Sequence, residues 1–383
     1  MRIDLQGGFG EKGRTSVGLS GGGRNILLDV GIKVGATGRD YYPAIDDAAI
    51  AALDAVFISH AHEDHIGGLA WLLSRGFRGR IFMTAETSLE ASAMLRQYGE
   101  QAHRQAFEAA AHCVELFAAG DTVELGELSV FTGRSGHVAG GVWFAASDGA
   151  KSLVYTGDVV PDSGVFAMDP IPPCDLLILD ASYGDDAISS DERIAAIRHW
   201  VGAQPNGCLL PVPLSGKPLE LMAILPQRFA IHASMRDAVA AQIAARDAFH
   251  PGIGAELTQR LAKALDWSEL DALPNCPLMS FDGMGSAGPS VEAIERAADQ
   301  GYPILLTGHI PPNTPASALF EAKRAEWIRL PTHPTRQGNV AIWEGAGRPA
   351  TLGHSCSLDS LSALKQYLPA LNDTVRTGDH IDL

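Results

Sequence analysis

Between positions 60 and 65 the chain reads His60-Ala61-His62-Glu63-Asp64-His65, three imidazoles and the carboxylate of Asp64 within six residues. Directly before it lies Ala55-Val56-Phe57-Ile58. That run is too short for a helix and rich in β-branched and aromatic residues, so it reads as a buried strand. A strand ending at His60 delivers the following side chains to a loop at the sheet edge. From Ile66 the apolar spacing becomes helical (Ile66, Leu69, Leu72, Leu73), which places Asp64 and His65 at a helix N-terminus. Neutral imidazole and carboxylate are ligands that zinc accepts. A polar surface turn needs no such density of histidine, and the stretch is read as metal-ligating.

The 383 residues exceed the usual size of one core, and 46% hydrophobic content suffices for one large or two interlocked domains. No apolar run approaches a membrane span, and the start Met1-Arg2-Ile3-Asp4-Leu5 lacks a signal-peptide layout. The five cysteines are odd in number and form no CxxC pair, which suits a reducing cytoplasm. The expected setting is cytoplasmic, without membrane attachment. A net charge of −16 leaves no basic run, so any nucleic-acid contact should be local and short.

Further along, Ser135-Gly136-His137-Val138-Ala139-Gly140-Gly141 follows a strand at Leu128–Thr132, and Asp158 ends the strand Leu153-Val154-Tyr155-Thr156-Gly157. Asp29 closes Asn25-Ile26-Leu27-Leu28, and Asp180 closes Leu176-Leu177-Ile178-Leu179. Together with HxHxDH at 60–65, these segments resemble the metallo-β-lactamase fold. The continuation is similar to the β-CASP nucleases, the ribonuclease J-like and RNA 3′-end-processing group. Leu179-Asp180-Ala181-Ser182-Tyr183-Gly184 resembles their motif A. The segment Gly207–Leu221 and the turn Gly283-Met284-Gly285-Ser286-Ala287-Gly288 are similar to two others. Motif B falls on His333, in flanks that depart from the family's, and motif C on His354, after a strand at Asn339–Trp343. Lys217 stands where arginine is commoner, and His309 replaces a usual tyrosine. The stretch Thr87–Ala118 reads as helical, and its His103 and His112 as surface or packing residues.

The resemblance implies an α/β protein, a metallo-β-lactamase αββα sandwich with an inserted β-CASP α/β domain. The boundaries are 1–190 for the first part of the sandwich, 191–310 for the insertion and 311–383 for the completion. It implies two Zn2+, with another divalent metal as substitute. His60, His62 and His137 bind one, Asp64, His65 and His354 the second, and Asp158 bridges. Asp29 supports the histidine loop without binding metal. Asp64, Asp180 and His333 are the catalytic assignments, His333 donating a proton to the leaving oxygen and Asp180 holding it. Histidine at motif C leans towards RNA. The chain also ends soon after motif C, without the extension of longer ribonuclease J proteins.

The expected activity is endonucleolytic cleavage of single-stranded RNA, with a 5′-to-3′ exonucleolytic mode left open and a homo-oligomer as an open alternative to a monomer. Hydrolysis of a small phosphodiester or other ester is the second enzyme reading. A scaffold that has lost its ligands is the third, opposed by seven filled ligand positions. Independently of the resemblance, Pro218, Pro289 and Pro315 sit where helices begin, in Gly/Ser/Thr/Asn-rich turns. Proline is favoured at the first helical position, where unpaired N–H groups attract anions. A phosphate cradle is read there from Lys217, Ser286, Gly288 and Thr314, with Arg336 and Arg134 adding charge.

Overall fold

Alternation along the strands sorts each side chain to one of two faces. Ile26, Leu28, Ala55 and Phe57 point one way, while Leu27, Val56 and Ile58 point the other and enter a separate cluster. The computed structural model describes residues 1–98, 101–110 and 113–383. His112 therefore lies outside the described residues. His103 packs by its Nδ1 against the Tyr42 hydroxyl at 3.3 Å.

The described residues divide into two compact units, Met1–Asp162 with Ala167–Ala187 and His333–Leu383, and Ser163–Phe166 with Ile188–Thr332. In the first unit two seven-stranded sheets face each other. One runs His380–Asp382, Arg2–Gly7, Ser16–Gly21, Arg24–Leu28, Ala55–Phe57, Arg80–Thr84, Val114–Phe117. The other runs Leu371–Asn372, Ala350–His354, Leu176–Asp180, Ser152–Tyr155, Val142–Ser147, Leu128–Arg134, Thr122–Leu125. Their inner faces share one core through Ile3, Leu5, Phe57, Phe144, Tyr155 and Ile178. Helices cover the outer face of each sheet, through Ile66, Leu69 and Leu95 on one and Ile342, Leu361 and Leu364 on the other. This is the αββα sandwich.

The second unit is an α/β domain on a parallel sheet ordered Leu209–Pro211, Leu278–Ser280, Ala230–His232, Leu265–Trp267. Leu305–Leu306 pairs in parallel with Glu326–Trp327, and the helix Pro315–Glu321 buries Ala316 and Leu319 in this unit's core. The chain consequently rejoins the sandwich at His333, where the sequence reading had placed the return at 311. Asn339–Trp343 is also corrected, from strand to part of the helix Arg336–Gly345. Thr335 caps that helix, its hydroxyl accepting from Gly338 N at 3.3 Å, and cap chemistry outweighs the β-branched look of the segment. The stretch 87–118 is two helices, Ala85–Tyr98 and Gln101–Ala110, followed by the edge strand Val114–Phe117. Among the described residues, no helix is long and apolar enough to cross a membrane.

Candidate metal centre

Parallel strands gather their carboxyl ends at one edge, and each sheet of the first unit uses that edge to present polar residues. Asp29 follows Leu28 at φ 59°, fully buried. Ser59 and His60 follow the neighbouring strand Ala55–Phe57. In the second sheet Ser152–Tyr155, Leu176–Asp180 and Ala350–His354 run in parallel, with Asp180 paired to His354 in register. Asp158 lies just past Tyr155, and His137 on the loop that leaves Arg134.

His62 ends the loop and caps a single helical turn, Glu63–Ile66, its carbonyl accepting from His65 N at 3.0 Å and Ile66 N at 2.9 Å. The carbonyls of that turn are taken up by neighbouring backbone. Ile32 N donates to Glu63, Thr15 N to Asp64 and Val30 N to His65, at 3.0, 2.9 and 2.8 Å. Gly31 is what lets the segments approach, because a Cβ there would lie 1.8 Å from the Asp64 carbonyl oxygen. Asp64 and His65 are thus held by their main chain before any ligand acts on their side chains.

The side chains meet. His62 Nδ1 faces His137 Nε2 at 3.2 Å, and Asp158 Oδ2 lies 3.8 Å from His60 Nε2 and 3.7 Å from His137 Nε2. One donor atom from each of His60, His62, His137 and Asp158 falls within 4.8 Å of the others. The other Asp158 oxygen is 3.1 Å from His65 Nε2 without hydrogen-bond alignment, and the His354 ring centroid is 6.4 Å from that of His65. His60, His65 and His354 each leave Nε2 buried and without a hydrogen-bond partner, as Asp158 leaves Oδ1. Buried polar atoms are nearly always paired. The convergent atoms of His60, His62, His137 and Asp158, with unpartnered buried nitrogens on His65 and His354, form a donor set that fits a metal cation.

The opposite nitrogens are held. His60 Nδ1 meets Ser59 Oγ at 3.0 Å, His65 Nδ1 meets Asp29 Oδ2 at 2.7 Å, and His354 Nδ1 meets Ser355 Oγ at 2.9 Å. Such outer partners fix tautomer and ring orientation. Burial holds His60, His137 and His354 below the usual imidazole range and brings His62 down to about 4. For His65 burial acts in the same sense, but the carboxylates of Asp158, Asp29 and Asp64 outweigh it and hold its imidazolium well above that range. Burial would raise Asp158, yet His65 and His333 keep it well below the carboxylate range.

Beside the ring of donors, His333 Nδ1 bonds Asp180 Oδ2 at 2.8 Å and stands 3.7 Å from Asp158 Oδ2. Asp180 is itself fixed by the N–H groups of Ser182 at 3.0 Å and Val159 at 3.2 Å. The Tyr183 ring packs edge-on to His333 with centroids 5.1 Å apart. All nine of the metal and catalytic residues read from the sequence (His60, His62, Asp64, His65, His137, Asp158, Asp180, His333, His354) therefore lie in the first unit.

The phosphate set is divided. Lys217, Ser286, Gly288 and Thr314 belong to the second unit and Arg336 to the first. Lys217 begins the helix Lys217–Ile224, and its Nζ lies 2.6 Å from where a Cβ on Gly308 would stand. Ser286 N donates to Asp282 Oδ1 at 3.1 Å, Gly288 turns at φ 59°, and Thr314 caps its helix by accepting from Ser317 N at 3.2 Å. The Arg336 guanidinium stacks 4.2 Å from the Tyr367 ring centroid. Arg134 is corrected: its Nε donates to Asp169 at 3.0 Å, and the pair closes the base of the His137 loop. Sequence reasoning gave no role to Ser59, Tyr155 and Ser355. Two of them adjoin a ligand histidine, which was a usable signal.

The family model for the β-lactamase superfamily domain matches residues 24–247, more than half of the chain. Cleavage and polyadenylation specificity factor 73 of Drosophila melanogaster is 26% identical over 365 residues, 84% of this chain and 52% of the relative. Transcription termination factor FttA of Methanocaldococcus jannaschii is 23% identical over 387 residues, 89% of this chain and 60% of the relative. A ribonuclease of Thermus thermophilus is 33% identical over 194 residues, 48% of this chain and 44% of the relative. The chain thus spans about half the length of the curated relatives it matches. A crystallised protein of unknown function from Enterococcus faecalis shares the fold, with a TM-score of 0.62, 13% identity, and coverage of 100% of this chain and 99% of that one. On the sandwich, its insertion and these matches, the chain belongs to the β-lactamase superfamily, in its β-CASP branch.

Proposed function

We propose that this chain is a dizinc phosphodiesterase that cleaves single-stranded RNA endonucleolytically, with cleavage from the 5′ end left open as a second mode. The observation that carries the reading is the buried donor cluster of His60, His62, His137 and Asp158, with unpartnered Nε2 atoms on His65 and His354 and the Asp180–His333 pair alongside. His60, His62 and His137 would hold one cation and Asp64, His65 and His354 the other, with Asp158 shared. Such a pair supplies a Lewis acid and a water of lowered pKa for in-line displacement at phosphorus.

The protein's own part begins with placement. Asp180 accepts from His333 Nδ1 and so orients the ring, leaving Nε2 as the atom that can pass a proton to the leaving oxygen. A 3′-hydroxyl and a 5′-phosphate would result. Lys217, Ser286, Gly288, Thr314 and Arg336 are the proposed phosphate contacts. The names of the relatives, an RNA-processing factor and a ribonuclease among them, favour RNA as substrate.

The net charge of −16 favours a second reading, hydrolysis of a small phosphodiester or ester. Turnover of single-stranded RNA against bis-p-nitrophenyl phosphate separates the two. Asp158→Ala should abolish RNA cleavage while the protein keeps its far-ultraviolet circular dichroism; undiminished cleavage would refute the assignment.

A further inference from the structure

We propose that Ser234, His232 and Glu269 of the second unit form a metal-independent nucleophilic centre, in which Ser234 attacks small esters of an apolar acyl group. The inference stands apart from the metal centre and from the activity proposed for it, so its failure leaves that reading untouched.

His232 closes the strand Ala230–His232 and pairs in parallel register with Trp267, the last residue of the neighbouring strand. The two strands deliver their following residues to one carboxyl edge, where open α/β sheets bind ligands. Ser234 comes from the turn after the first strand and Glu269 from the loop after the second. His232 Nε2 meets Glu269 Oε1 at 2.8 Å, and His232 Nδ1 meets Ser234 Oγ at 2.7 Å. The backbone sets the direction of these bonds. Ser234 N also points at His232 Nδ1, at 3.3 Å, and an amide N–H can only donate. Nδ1 is therefore the bare nitrogen, Nε2 carries the proton given to Glu269, and the Ser234 hydroxyl donates to Nδ1. A serine whose proton is drawn off by an imidazole that a carboxylate orients is an activated nucleophile.

Burial follows the roles. His232 is buried, with the Trp267 ring edge-on and centroids 5.8 Å apart, while Ser234 is exposed. The loop that presents Glu269 is braced by its own bonds. Ser268 N and Oγ donate to Asp271 Oδ2 at 3.0 and 2.8 Å, and Trp267 Nε1 donates to Ala272 O at 3.1 Å. The Arg296 guanidinium donates to the carbonyls of Glu269 and Asp271. Its own N–H, with His232 and Arg296, holds the Glu269 carboxyl below the usual range, so it stays an acceptor. Ser234 also precedes the helix Arg236–Ala244, whose N-terminal partial charge favours the oxyanion of an attacked ester. Leu270, beside Glu269 in the chain, is 97% exposed and offers apolar surface to the acyl group. In the reaction Ser234 Oγ bonds the acyl carbon, the alcohol's C–O bond breaks, and the serine proton passes through His232 Nδ1 to the leaving oxygen. Water then attacks the acyl-serine, its proton taken by His232 and returned to Ser234 as the acid departs. Ser234 and His232 are catalytic residues here, and Glu269 is a positioning residue.

The test uses the full-length protein in EDTA, which removes divalent metal from the comparison, with a fluorophosphonate probe and p-nitrophenyl butyrate. Mass spectrometry should find the probe on Ser234, and ester hydrolysis should persist in EDTA. Ser234→Ala should abolish the labelling and reduce hydrolysis to the buffer rate. Loss of a general base costs about 10²–10⁴-fold, so His232→Gln should slow labelling by about that factor. Glu269→Gln keeps an acceptor but removes the charge. It should lower kcat for the ester with KM and thermal midpoint unchanged, a split that a structural role alone would not produce. Absence of the probe from Ser234, or labelling as fast in His232→Gln and Glu269→Gln as in the parent, overturns the inference. Ester turnover that vanishes in EDTA and returns with Zn2+ belongs to the metal centre and overturns it as well.

Discussion

A histidine ring can give a cation one nitrogen only, and what holds the other nitrogen decides which. Four of the ligand histidines are kept neutral by burial, and His65 is kept charged by the three carboxylates around it. His65 must lose its Nε2 proton to bind a metal. Burial lowers the pKa values of the other four from the ordinary 6.5, while the carboxylates raise that of His65, so at neutral pH His65 is the group that must let go. Loading metal-free protein with Zn2+ at pH 7 should therefore release at least about one proton per molecule. Calorimetric heats that vary with the ionisation enthalpy of the buffer would show it; heats independent of buffer would refute it. At His333, His333→Gln should lower RNA turnover about 10²–10⁴-fold, the range for a lost general acid, with zinc content unchanged. A variant that loses zinc as well would instead make His333 a ligand. The histidines and acids were legible in the chain because each closes a strand or sits in a compact motif. Arg134 was misread because its partner Asp169 lies 35 residues on, beyond the reach of local pattern. Ser59, Tyr155 and Ser355 escaped because hydroxyl residues are common and only geometry distinguishes a relay from a surface group.

At the scale of elements, the centre depends on how closely two loops can pack. The segment 30–32 lies against the turn Glu63–Ile66, Ile32 N and Val30 N donating to the Glu63 and His65 carbonyls while Thr15 N donates to that of Asp64 between them. Gly31 makes this possible through absence of a side chain, not through an unusual φ. Gly31→Ala puts a carbon 1.8 Å from the Asp64 oxygen, and the obstacle is backbone that cannot rotate aside. The turn must shift, carrying Asp64 and His65 with it. Overpacking of this kind costs about 1–3 kcal/mol. Gly31→Ala should lower the unfolding free energy by that amount and weaken zinc binding about tenfold or more, where Gly345→Ala, with open space around it and no left-handed φ, should leave zinc binding unchanged. Denaturant melts and zinc titration of the two variants check this. Strand ends were readable from sequence because apolar runs stop at them. The helix at 336–345 was not, since Val340, Ala341 and Ile342 look like strand until Thr335 is seen capping them.

Across the whole molecule, charge limits how RNA can be held. With 29 basic against 45 acidic residues, and Arg14, Arg24, Arg75, Arg80, Arg134 and Arg236 in ion pairs with acids, the chain cannot neutralise a long run of phosphates. Affinity for single strands falls with salt by about 0.7 log units per decade for each phosphate neutralised. The two cations of the proposed set, Lys217 and Arg336, correspond to a slope of about −1.4. A protein tracking a long basic groove would be steeper. Binding of a fluorescent single-stranded RNA to the Asp158→Ala protein, which should not cleave it, measured from 50 to 300 mM KCl, gives the slope directly. Lys217→Ala should reduce it by about 0.7 and weaken binding equally for all sequences, because a phosphate contact carries no base information. A slope steeper than about −5 would mean that a basic surface outside the proposed contacts dominates binding, and a slope unaffected by Lys217→Ala would remove that residue from the phosphate path.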